Sequence, residues 1–86
     1  MNEIDRLLLK VRDAQTHDGW RMDDLLRSAE SCLVRAQEAR STGNGQLEAR
    51  AAAVLAYQIS DQWPMSHPLG DELLSYTEHT RRREDS

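Results

Sequence analysis

Apolar positions recur at helical spacing in four stretches of the chain. In the first, Ile4, Leu7, Leu8, Val11 and Ala14 fall within one arc at about 100° per residue, which predicts a helix from about Asn2 to Thr16. Asn2 is the expected N-cap, with Asp5 placed as in a capping box, and Thr16-His17-Asp18-Gly19 supplies the turn. In the second, Met22, Leu25, Leu26, Ala29, Cys32, Leu33, Ala36 and Ala39 make an apolar face from near Met22 or Asp23 to about Ser41. Asp23 and Asp24 suit the positive end of that helix dipole, and Arg35 and Arg40 the negative end. Ser41-Thr42-Gly43-Asn44-Gly45 is a stop short enough to join antiparallel neighbours.

The third stretch, from about Gln46 to Trp63, carries two apolar stripes. Leu47, Ala51, Val54 and Leu55 form one; Ala52, Ala56, Ile59 and Trp63 form the other. Arg50, Tyr57, Ser60 and Asp61 hold the remaining polar edge. A helix apolar over most of its circumference is normally covered on more than one side, so this is the expected central helix. Pro64 closes it, and Ser66-His67-Pro68 restarts the chain, with Pro68 suited to a first helical turn. A fourth, shorter helix from about Leu69 to Thr80 presents Leu69, Leu73 and Tyr76 on one face, with Gly70 weakening its start. The expected organisation is a single helical domain over 1–80 and a solvated tail over 81–86. The fold class is all-α, a three- or four-helix bundle around a central antiparallel helical hairpin.

Composition narrows the chemistry. The chain has 86 residues, no Phe and a formal net charge of -4, so its core is thin and non-specific binding to nucleic acid or anionic membrane is disfavoured. Cys32 is the single cysteine and lies on a core face, where a free thiol behaves as a small hydrophobe rather than a nucleophile. The N-terminus places acids before its apolar residues, unlike a secretory signal, and no apolar run reaches the length of a membrane span. The expected setting is the cytoplasm of a bacterium or of a phage-infected cell.

His17, His67 and His79 fall in three different segments without metal-ligand spacing, so no metal is expected. The acidic pairs Asp23-Asp24 and Asp71-Glu72 sit at helix starts, where exposed amides account for them. Gly43-Asn44-Gly45 lacks the strand and Lys of a phosphate loop. No cofactor, small-molecule substrate or catalytic residue is expected. Arg81-Arg82-Arg83 is the one basic run; Glu78, Glu84 and Asp85 flank it, and no aromatic residue interleaves. A helix-turn-helix across the second and third helices would need an apolar, alanine-rich recognition helix, which is the composition of a core.

What remains is apolar surface in excess of one small bundle. Leu9, Val34 and Leu74 point away from the main faces of their helices, and the stripe ending in Trp63 needs a cover. Trp20, in the connection before the second helix, is an aromatic of the kind that carries interface energy. The candidate partner-binding residues are therefore Trp20, Ala52, Ala56, Ile59, Trp63 and Leu74.

Leu25-Leu26-Arg27-Ser28-Ala29-Glu30, then Ala36 and Ala39, the turn containing Gly43, and Ala49-Arg50-Ala51-Ala52-Ala53-Val54-Leu55-Ala56-Tyr57 resemble a group of small actinobacterial and actinophage proteins. Those proteins are built around an alanine-rich helical hairpin. The resemblance covers about half the chain by composition and turn placement. It implies an origin, and it carries no functional residues over.

The expected function is a non-catalytic protein–protein interaction module, such as a phage-encoded or bacterial regulator of a host protein. Two alternatives stay open. One is a structural homo-oligomer that buries the third helix against its own copy. The other is a nucleic-acid-associated regulator that uses the arginine tail.

Overall fold

The computed structural model describes the backbone of residues 2–64 and 67–85 and the side chains of 2–17, 23–64 and 67–82. Three helical runs follow one another: α1 (Glu3–Ser41), α2 (Gly45–Gln62) and α3 (Pro68–Asp85). At about 1.5 Å per residue a straight α1 would reach about 58 Å, whereas the longest dimension of the molecule is 37 Å. Its ends are instead laid side by side. Arg12 Nε donates to Glu30 Oε2 at 3.1 Å, and Gln37 Nε2 donates to Asp5 Oδ1. Each pair sets an early residue against a late one, so α1 folds back into an N-terminal and a C-terminal arm that run antiparallel. Ahead of the reversal, Thr16 Oγ1 donates to the Arg12 carbonyl at 3.2 Å, a back-bond of the kind that bends helices. The first two predicted helices are thus both present, as arms of one helical run.

The remaining cross-links close a ring. Ser28 Oγ donates to Gln58 Oε1 at 2.8 Å, tying the C-terminal arm to α2. Lys10 pairs with Glu72, and His79 Nδ1 lies 3.9 Å from Glu3 Oε2, which sets α3 antiparallel to the N-terminal arm. The chain therefore forms an all-α bundle of four alternating segments. Its centre is filled by Ile4, Leu7 and Val11 of the first arm, Leu26 and Leu33 of the second, Leu55 of α2, and Leu73 and Tyr76 of α3. Burying each such side chain contributes about 1.5–3 kcal/mol of transfer free energy.

Local chemistry fixes the joints. Asn2 caps α1, its Oδ1 accepting from Asp5 N at 2.9 Å; Asp5 answers Gln37 rather than the Asn2 amide, so the capping box is half made. At the other end Asn44 N donates to the Ala39 carbonyl at 2.8 Å and Gly43 N to the Arg40 carbonyl at 3.1 Å. That is a Schellman ending, and it needs the positive φ of 74° that Gly43 supplies. Asn44 then caps α2 through Leu47 N at 3.2 Å, so one residue closes one helix and opens the next. Before α3, His67 Nδ1 accepts from Leu69 N at 3.2 Å, and Pro68 occupies the first helical position.

One boundary and one expectation of burial differ from the sequence reading. α3 continues beyond Thr80 to Asp85, placing Arg81 and Arg82 on a helix where a frayed tail is predicted from sequence. No helix breaker follows Thr80, and cations suit a helix C-terminus. α2 is also not enclosed on most sides: one face meets the rest of the bundle and the opposite face meets solvent. Among the described residues, no helix is long and apolar enough to cross a membrane.

Candidate interaction surface

The stripe of α2 expected to meet a partner is largely covered within the chain. Ala52, Ile59 and Trp63, expected to meet a partner, are 3%, 5% and 6% exposed and belong to the core. α3 covers them: a Cβ built on Gly70 would stand 3.4 Å from Trp63 Cε3 and 3.6 Å from Ile59 Cγ2. Gly70, which weakens the start of α3 as a helix former, faces Trp63 and Ile59 at a distance that leaves room for a methyl group and little more. Ala56 and Leu74 are half-buried across the groove between α2 and α3. Leu74 packs against the core, as does Val34. Trp20 and Met22 lie outside the described side chains.

The other stripe splits. Ala51 and Leu55 are buried, but Leu47 is 49% exposed and Val54 48%, and beside them Tyr57, assigned from sequence to a polar edge, is 73% exposed. Leu47 and Val54 form one wall of a groove of about 450 Å³, whose other wall is Cys32 and Arg35 of α1 with Thr42 just beyond its end. Among the described residues Leu9, 52% exposed on the N-terminal arm, is the other exposed large apolar side chain. α2 thus carries the one contiguous set of exposed large apolar side chains among the described residues.

Charge surrounds this set. Arg50 and Asp61 are exposed on the same side of α2, and Arg35 stands across the groove. None of the three has an ion-pair partner among the described residues. The surface is therefore apolar at its centre with unpaired charges around it, the layout of a protein-contact patch.

Elsewhere the potentially reactive groups are held apart. Cys32 is buried, its Sγ 4.0 Å from Gln58 Oε1; burial raises its thiol pKa, and the nearby Arg35 guanidinium opposes that only in part. His17 lies against Asp13, His67 stacks edge-on with Trp63 at 5.4 Å between ring centroids, and His79 faces Glu3. Asp23 pairs with Arg27 at 3.1 Å on the surface, and Glu72 pairs with Lys10. No group of three His, Cys, Asp or Glu among the described residues is arranged to hold a metal ion.

The exposure of Leu47, Val54 and Tyr57 was not legible from the sequence, because the two stripes of α2 are equally apolar and Tyr57 falls beside polar residues. A signal for choosing between them was present in α3, whose Leu69, Leu73 and Tyr76 face must cover something nearby. The short Pro64 connection leaves the Trp63 stripe within its reach. Comparison of the chain with protein families, with curated proteins and with solved structures finds no match in any of the three.

Proposed function

We propose that this chain is a non-catalytic protein–protein interaction module whose working surface is the solvent face of α2. The observation that supports it is the joint exposure of Leu47, Val54 and Tyr57, where the other large apolar side chains among the described residues, Leu9 apart, are half-buried or buried. An exposed aromatic beside aliphatic residues and unpaired charges is the composition from which contact hot spots are made. The proposed setting is the cytoplasm, where a lone thiol such as Cys32 stays reduced.

Site-specific photo-cross-linking in cells tests this. A benzophenone amino acid at position 54 or 57 should give discrete protein adducts, and one at the exposed Ser75 of α3 should give none. Equal adduct patterns from all three positions, or none from 54 and 57, would overturn the proposal.

A further inference from the structure

The identity of the occupant follows from the spacing of that same face, and the step rests on the interaction reading just given. We infer that the solvent face of α2 binds a second copy of this chain, α2 against α2, antiparallel about a two-fold axis. Leu47, Arg50, Val54, Tyr57 and Asp61 alternate three and four residues apart, the a and d spacing of a coiled-coil seam. On α2 they fall within about 80° of arc at about 100° per residue, on the side away from the buried Leu55 and Ile59.

Only one register satisfies this seam. With Val54 set against Tyr57 of the copy, Arg50 falls against Asp61 of the copy, and Leu47 meets Pro64 at the edge. The two-fold repeats every contact, giving two central apolar layers with an ion pair on each side. Shifting the pairing one step either way sets Arg50 or Asp61 against an apolar residue. Parallel pairing sets Arg50 on Arg50 and Asp61 on Asp61. A face made for an unrelated helix has no reason to place opposite charges symmetrically about its own midpoint. Here Arg50 and Asp61 do so, and neither has an ion-pair partner among the described residues of the single chain.

One helix face is small beside the area that permanent dimers bury, so the assembly is concentration-dependent. Sedimentation velocity from about 1 µM to about 1 mM should show the mass rising from that of one chain toward that of two. Arg50→Asp and Asp61→Arg should each weaken association at least about tenfold, because like charges then face each other. Both positions are exposed, so circular dichroism should report an unchanged fold. The charge-swapped double variant should recover the dimer. An equimolar mixture of the two single variants should also associate, since both acidic seam positions of one chain then meet both basic seam positions of the other.

Failure of the mixture and the double variant to recover association would overturn the register and the inference with it. A chain that stays monomeric at every concentration would also overturn it. If position-57 cross-links then join a different protein, the interaction module survives without self-pairing; if they join none, both readings fall.

Discussion

Arg40 reaches across the turn that ends α1 and sets its Nε 3.0 Å from Oε1 and 3.4 Å from Oε2 of Glu48 in the first turns of α2. Glu48 is 5% exposed, whereas the Arg40 side chain keeps 30% of its surface in water. The asymmetry orders the costs of breaking the pair. Removing the cation takes a close ion-pair partner from a buried carboxylate; removing the carboxylate leaves an arginine that can turn toward solvent. Arg40→Ala should lower the unfolding free energy by about 2–4 kcal/mol and Glu48→Gln by about 1 kcal/mol. Urea denaturation of both single variants and the double should give a coupling of at least about 0.5 kcal/mol. Strictly additive effects would mean that the contact does not hold the hairpin.

The close approach of α3 to α2 makes position 70 sensitive to size. Gly70→Ala adds a Cβ at ordinary contact distance, 3.4 Å from Trp63 Cε3, while removing the conformational penalty of a helical glycine. The substitution should therefore stabilise by about 0.5–1 kcal/mol. Gly70→Leu extends further into Trp63 and Ile59 and should destabilise by about 1–3 kcal/mol. Thermal melts in which both variants fall together would show that α3 cannot accept even a methyl group.

Adjacent positions on α2 should differ sharply in what they contribute to the fold. Leu55 is 1% exposed and Val54 48%, so Leu55→Ala should cost about 2–5 kcal/mol and Val54→Ala about 0.5 kcal/mol or less. Equal losses in denaturant titrations would contradict the assignment of the Val54 face to solvent. Helical spacing, the cap at Asn2, the stop over 41–45 and the restart at Pro68 were enough to read four helical segments and an antiparallel hairpin, because those signals are local; the second role of Asn44, as the cap of α2, was not read. The candidate surface was not legible in the same way. Which apolar positions of α2 are covered depends on where α1 and α3 dock against it, a tertiary arrangement that no periodicity within α2 records. The candidate surface was found only once Leu47, Val54 and Tyr57 could be seen outside the contact with α3.

Cys32 provides a pH-dependent reporter of the bundle. Its thiol pKa is raised by burial, with Arg35 pulling weakly the other way, so the native state favours the protonated thiol more than the unfolded chain does. A group with a raised folded pKa contributes stability that is fully present below its unfolded value, about 8.5 for cysteine, and is lost as pH rises through the folded value. Stability should therefore decline above about pH 8.5 by an amount that Cys32→Ala removes, although that variant also loses a little packing at every pH. The same protection should hold the thiol back from disulfide reagents, since the thiolate is the reacting species and Cys32 is 6% exposed. At pH 8, Ellman's reagent should modify the folded chain at least about a hundredfold more slowly than the urea-unfolded chain. Equal rates in the two states would place Cys32 in open solvent and remove α1 from its seat against Gln58.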